Sequence, residues 1–181
     1  LNNNIPDWLK YIAEDRLEEA YEISSATNAF PEVCGRVCPQ DRLCEGNCVI
    51  EKAGFGSITI GSLEKHITET AWNNGWIKPI TSDKNQNQKV AIIGSGPAGL
   101  AAATYLIEYG YEVEVFEKND RIGGLMIYGI PNFKLDKLVV IRRSDWLKES
   151  GVIFHTNCEV GKDLSFEDLE KKFDAILIST G

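Results

Sequence analysis

Two groups of residues in this sequence have types and spacings that do chemistry. Four cysteines, Cys34, Cys38, Cys44 and Cys48, follow the pattern C-x3-C-x5-C-x3-C, while Cys158 stands alone. A tight cluster of thiols in a chain with no visible secretion signal reads as a metal site rather than a disulfide framework. Cys38 is followed by Pro39, a step found in ferredoxin-type iron–sulfur sites, where thiolates hold the cluster. Zinc also accepts four thiolates, so spacing alone leaves both metals open.

The second group is Gly94-Ser95-Gly96-Pro97-Ala98-Gly99, lying between the apolar run VAII and the Ala-rich stretch LAAATYL. That context, strand before and helix after, is what the dinucleotide-binding motif requires. Gly94 permits a tight turn, Gly96 lets a pyrophosphate approach the backbone, and Gly99 lets the helix pack on the strand. The free N–H groups of the helix N-terminus then face the phosphates. Glu117 ends the next predicted strand, 23 residues after Gly94, where a carboxylate accepts hydrogen bonds from an adenosine ribose and disfavours a 2′-phosphate. Glu117-Lys118 is followed by Arg121-Ile122-Gly123-Gly124-Leu125. A second glycine pair so soon after the ribose-binding strand is typical of flavoproteins and favours FAD over NAD.

The elements that must position these groups divide the chain into two units. Residues 1–77 read as a helical domain, 78–88 (KPITSDKNQNQ) as a polar linker, and 89–181 as a Rossmann-like domain. In the first, Leu9, Ala13, Leu17, Ala20 and Tyr21 recur at helical spacing and predict one amphipathic helix over Trp8–Ser24. A second helix is expected over Leu63–Asn74, with Ser62 as its N-cap. In the last unit, strands over 89–93, 112–117, 152–155 and 174–179 alternate with helices over 98–109, 137–149 and 165–172. Such alternation predicts an α/β fold with a mostly parallel sheet.

Composition bounds the function classes. The chain has 181 residues, 43% hydrophobic and 25% charged, with a net charge of −8. A chain of this size buries roughly 70% of its unfolded surface and needs no disulfides to fold. Its acidic balance is a poor match to nucleic acid or an anionic membrane. No apolar run approaches the ~18 residues of a membrane span, and the cytoplasm is the expected compartment. The first residue is Leu rather than Met, so the natural start is expected upstream. His66 and His155 have no partner at ligand spacing, and Ser144, Asp145 and His155 form no hydrolase arrangement. Cys158 reads as a buried thiol, and the four tryptophans as packing residues.

The run Phe30 to Cys48 (FPEVCGRVCPQDRLCEGNC) resembles the cluster-binding segment of the small (beta) subunit family of NADPH-dependent glutamate synthase, a module shared with the N-terminus of dihydropyrimidine dehydrogenase. Gly123 to Leu135 (GGLMIYGIPNFKL) resembles the same family. The resemblance implies a helical iron–sulfur domain followed by the first half of a Rossmann-like FAD-binding domain. It also implies cofactor contacts at Lys118, Leu125, Thr180 and Gly181, besides the residues above. In such proteins electrons pass from NADPH to FAD and through [4Fe–4S] clusters to an FMN-containing large subunit, which makes L-glutamate from 2-oxoglutarate and glutamine. The family pattern puts Cys38, Cys44 and Cys48 on one cluster with a fourth ligand upstream, and leaves Cys34 unassigned. A Gln ligand of dihydropyrimidine dehydrogenase matches Glu64, which would also favour the helix dipole from the first turn of the predicted helix. The family's upstream cluster segment and its nicotinamide half have no counterpart in the sequence, so the chain is expected to be a fragment, inactive alone. Two alternatives remain: a related reductase subunit of the dihydropyrimidine dehydrogenase or ferredoxin:NADP reductase type, or a zinc-stabilised interaction module without redox activity.

Overall fold

The protein was analysed as a computed structural model that describes residues 2–181. The chain forms two compact units, one ending at Ile77 and the other spanning Lys78–Gly181.

The first unit is helical. It holds α1 (Ile5–Ala13), α2 (Leu17–Ser25), α3 (Pro31–Val37), a 3-10 turn at Gln40–Arg42, α4 (Val49–Lys52) and α5 (Ile60–Asn73). The single helix expected over Trp8–Ser24 is two. Asp15 takes a left-handed φ of 59°, which Asp tolerates better than most residues. The Asp15 and Arg16 N–H groups turn back to Ile12 and Tyr11 carbonyls and close α1. The apolar spacing runs through the break because both helices feed one core. Trp8, Ala20 and Ile67 are fully buried there, with Leu9, Ile12, Leu17, Ile23, Ile60 and Leu63 packed around them. The Trp8 indole N–H donates to Asn3 Oδ1 at 3.2 Å.

Helix α5 starts three residues earlier than the sequence suggests, with Thr59 rather than Ser62 at its N-cap position. Its early turns lie close to α3. A Cβ on Gly35 would stand 2.7 Å from the Gly61 carbonyl oxygen, and one on Gly61 would run into the Gln40 amide. Gln40 in turn donates from Nε2 to the Gly35 carbonyl at 3.0 Å.

The second unit holds β1 (Lys89–Ile93), α6 (Pro97–Glu108), β2 (Glu112–Phe116), α7 (Leu125–Tyr128), α8 (Lys137–Glu149), β3 (Ile153–His155), α9 (Phe166–Lys172) and β4 (Ala175–Ile178). The four strands form one sheet of order β3-β2-β1-β4, parallel throughout. Of the two central strands, β1 (KVAII) is a short apolar run, as expected where a sheet is covered on both faces, while β2 (EVEVF) alternates glutamate with buried valine before Phe116. Ala91, Ile93, Phe116 and Leu169 form one buried cluster, joined by half-buried Cys158, Val160, Leu164, Phe173 and Ile176. Leu100, Ala103 and Ile107 of α6 and Val139, Val140 and Leu147 of α8 are also buried. The polar stretch 78–88 is bonded along this unit. The Trp146 indole donates to the Lys78 carbonyl at 2.7 Å, the Ile80 N–H to Ser150 Oγ at 2.9 Å, and the Ser82 hydroxyl to the Glu108 carbonyl at 3.0 Å.

Register brings three chain segments together at the carboxyl end of the sheet. Ile93 is level with Phe116 and with Ile178, and Phe116 with His155. The ladder extends one residue further, with Gly94 N–H on the Phe116 carbonyl, Glu117 N–H on the His155 carbonyl and Ser179 N–H on the Ile93 carbonyl, each at 2.8 Å. The chain builds outward from β1 through β2 to β3 and then crosses to the other side of β1 at β4. Such a reversal opens a crevice beyond the strand ends, where open α/β sheets bind ligands.

Trp8 is the largest fully buried side chain of the first unit. Trp8→Ala is expected to destabilise that unit by about 3–5 kcal/mol, measured as a shift in the chemical-denaturation midpoint by circular dichroism.

Candidate dinucleotide site and cysteine segment

The two outer glycines of the first loop serve the fold. Gly94 has φ 104°, and a Cβ there would stand 2.5 Å from the Ser179 carbonyl oxygen. A Cβ on Gly99 would stand 2.1 Å from the Gly94 carbonyl oxygen and 2.8 Å from Ser179 Oγ. The Ser179 hydroxyl lies 3.1 Å from the carbonyl oxygens of both Ile93 and Gly94, closing the junction. Gly96 is different. Its backbone is extended (φ −68°, ψ −178°), and a Cβ there would meet nothing within 4 Å. Pro97 opens α6 at its first position, where its missing N–H deprives the helix of nothing. Pro97 and Ala98 are exposed, so the first turn faces outward.

The second glycine pair closes on the first loop. Gly123 and Gly124 have φ 126° and 53°, a region that favours glycine. A Cβ on Gly124 would stand 2.8 Å from Gly96 Cα. Glu117 is buried between these segments, with 5% of its surface exposed. Its Oε2 accepts from the Ser95 N–H at 3.1 Å and the Ser95 hydroxyl at 2.5 Å. Its Oε1 accepts from the Asn119 N–H at 2.9 Å and Asn119 Nδ2 at 2.7 Å. Burial pushes the Glu117 pKa up, but these donors outweigh it and hold the carboxyl below its ordinary range.

Of the other residues singled out in the sequence, Lys118, Leu125, Thr180 and Gly181 are exposed around this end of the sheet. Thr180 lies against Gly94, whose added Cβ would meet Thr180 Cα at 3.2 Å. Three further side chains make contacts at this end of the sheet that the sequence did not specify. Asn119 occupies one Glu117 oxygen. Tyr128 donates to Asp120 and accepts from the Arg121 N–H, tying the second glycine segment to the end of β2. Lys137 reaches from α8 to the carbonyl oxygens of Met126 and Ile130. Each acts through a side chain that no short motif encodes.

All five cysteines of the chain are free thiols, so the four clustered in the first unit are unspent. Cys34 sits on α3, and Cys38 ends that helix. Cys48 precedes α4. Burial pushes the Cys34 thiol up. Cys48 goes the other way: backbone N–H groups of Ile58, Glu51 and Ile50 face its sulfur and favour the thiolate, the form that binds metal. Among the described residues, no three His, Cys, Asp or Glu side chains gather closely enough to ligate one ion. Cys38, Cys44 and Cys48 therefore share a loop without converging on a common point.

Glu64 lies on the same side of the unit. Because α5 begins at Ile60, Glu64 stands in its second turn rather than its first, so the helix-dipole role expected for it falls away. It is buried to 7% exposure, accepts from Asn28 Nδ2 at 3.0 Å, and burial pushes its pKa up to about 7. Burial without a cationic partner among the described residues is what raises it: the charged form loses solvation and gains one amide donor in return.

Comparison with known proteins agrees with both halves of this picture. Residues 1–76 match the family described as dihydropyrimidine dehydrogenase domain II, 4Fe-4S cluster. Residues 92–139 match the NAD(P)-binding Rossmann-like domain. The chain is 59% identical over all 181 residues to the glutamate synthase [NADPH] small chain of Azospirillum brasilense, covering 38% of that protein. It is 45% identical over its whole length to the putative oxidoreductase UacF of Escherichia coli (strain K12), covering 28% of it. Among solved structures, a 2-naphthoyl-CoA reductase complex matches 95% of this chain and 26% of its own at TM-score 0.50 and 20% identity, a likeness of fold alone. No helix of the described residues is long and apolar enough to cross a membrane. The chain spans well under half the length of the small chains it matches, and along its own whole length it is a homologue of the glutamate synthase NADPH small chains, carrying the 4Fe-4S domain shared with dihydropyrimidine dehydrogenase.

Proposed function

We propose that this chain is the cluster-bearing and FAD-binding segment of a cytoplasmic glutamate synthase small subunit. In the whole protein, electrons from NADPH would pass through FAD and [4Fe–4S] clusters to a large, FMN-containing subunit that forms L-glutamate from 2-oxoglutarate and glutamine. The observation that carries the FAD reading is Gly96. Its backbone is ordinary and its surroundings are empty, so the fold itself has no use for a glycine there. A phosphate approaching the backbone does. The first-turn N–H groups of α6 would take the pyrophosphate, with Gly123 and Gly124 closing the other side and Glu117, Lys118, Leu125, Thr180 and Gly181 around it.

Bound FAD takes up electrons in pairs and releases them singly, which is what couples a nicotinamide to iron–sulfur clusters. The chain's own contribution is to bind and orient. Cys38, Cys44 and Cys48 would supply thiolates to a cluster, Cys48 with its deprotonation already favoured, and Glu64 a buried carboxylate. The family match over residues 1–76 supports iron–sulfur over zinc. A related reductase is the second reading, supported by the UacF likeness. The higher identity to the Azospirillum small chain favours glutamate synthase.

Gly96→Ala is expected to leave the melting temperature of the unliganded protein unchanged, since the methyl meets open space. It should weaken FAD binding by about tenfold or more, ~1.4 kcal/mol, read by isothermal titration. Unchanged FAD affinity would remove the main support for this site.

Anaerobic reconstitution of the whole small subunit, with the upstream segment that carries the fourth ligand, is expected to yield bound iron with acid-labile sulfide, both reduced in Cys38→Ser, Cys44→Ser and Cys48→Ser and unaffected in Cys34→Ser. Stoichiometric zinc without sulfide after expression in metal-replete medium would instead identify a zinc-stabilised module.

A further inference from the structure

We infer that Ser95 is a positioning residue, whose buried hydroxyl joins the two glycine segments through Glu117 and so sets the width of the slot between Gly96 and Gly124. This inference deepens the FAD reading and rests on it for the identity of the ligand, but not for the bonds themselves.

Ser95 stands inside the glycine motif, where its side chain would be expected to meet the cofactor. It does not face outward; the residue has no exposed surface. Its hydroxyl donates to Glu117 Oε2 at 2.5 Å and accepts from the Gly123 N–H at 3.2 Å, while its own N–H donates to the same Glu117 oxygen at 3.1 Å. One side chain thereby connects the end of β1, the end of β2 and the entry to α7. The two roles are of opposite kind. A hydroxyl has one donor and two acceptor positions, so it satisfies a carboxylate and an amide together. Alanine satisfies neither.

Glu117 keeps this link rigid. A carboxylate has about four acceptor positions, and here four donors fill them: two from Ser95 and two from Asn119. A ribose hydroxyl that reaches Glu117 must therefore share or displace one of them, and the Asn119 side chain is the donor free to move. The Ser95 pair, one of its bonds from the backbone, stays. Loss of the Ser95 hydroxyl would free Gly123 and Gly124, whose left-handed backbone has large conformational freedom to regain, from their register against Gly96.

The test uses Ser95→Ala and Ser95→Thr with two readouts, amide hydrogen exchange at Gly123 in the unliganded protein and the Kd for FAD. In Ser95→Ala, Gly123 exchange should rise by about tenfold or more, and the Kd for FAD should rise by about tenfold or more. Ser95→Thr keeps the hydroxyl and should restore Gly123 protection and FAD affinity, even if its extra methyl lowers the melting temperature. A role in packing alone would make the two variants alike. Should Ser95→Thr fail to fold, Ser95→Cys replaces it: the thiol fills the space of the hydroxyl but is a weak donor and acceptor, so Gly123 exchange should again rise, whereas a role in packing alone would leave it unchanged. Wild-type Gly123 exchange retained in Ser95→Ala overturns the inference. A wild-type protein that binds no FAD would overturn the function proposed above, and the exchange result in the unliganded protein would still decide this inference.

Discussion

The second unit depends on how closely α6 approaches the ends of β1 and β4. Gly99 lies directly over the Gly94 carbonyl, and the Ser179 hydroxyl bridges the last carbonyls of β1. A side chain at Gly99 would lift the helix away from the sheet, and one at Gly94 would push away the chain that leaves β4. The first-turn N–H groups of α6 would then no longer face the crevice that the β3-β2-β1-β4 order opens. The glycine motif thus contains two different requirements. Gly94 and Gly99 are demanded by packing within the protein. Gly96 is demanded by nothing in the protein, and that difference is what the proposed FAD site rests on.

Features decided by local patterns were legible in the sequence. β1, α6 and β2 could be placed from an apolar run, the glycine spacing and the alternation of EVEVF, because parallel strands and the helix between them are constrained over a few residues. Features decided by distant partners were not. Ser95 occupies a motif position that specifies no side chain, and its hydroxyl finds its partners 22 and 28 residues away. Helix α7 has four residues, too few for any periodicity to register. The break at Asp15 was hidden because α1 and α2 bury their apolar residues in one core, so the spacing continued across a left-handed turn. Glu64 changed meaning with a shift of three residues in the start of α5, from a first-turn dipole partner to a buried second-turn acid.

In the first unit the apolar core and the cysteine loop are held by different forces. Trp8, Ala20 and Ile67 anchor α1, α2 and α5 by burial. The loop from Cys38 to Cys48 is held by hydrogen bonds centred on Gln40. Its carbonyl collects the N–H groups of Leu43, Glu45 and Gly46, and its side chain lies over Gly61 and bonds to Gly35. Apolar residues next to the loop contribute little, since Leu43, Val49 and Phe55 are 50%, 74% and 84% exposed.

That division has a consequence for metal binding. Where few apolar contacts order a segment, the free energy of a bound metal is a large part of what holds it, because ligation and folding are linked. The thiols sit where that linkage acts, in the part of the unit with the weakest packing, and the Cys48 sulfur is already surrounded by N–H groups that stabilise its charge. Helix α5 joins the two regimes. Ile67 and Ala71 are buried in the unit, while Glu64, one turn before Ile67, is bonded to Asn28 beside Cys34, and Gly61, two turns before it, lies against Gln40 of the cysteine loop. A metal that drew on Glu64 would therefore be secured to the best-packed helix of the unit rather than to the loop alone.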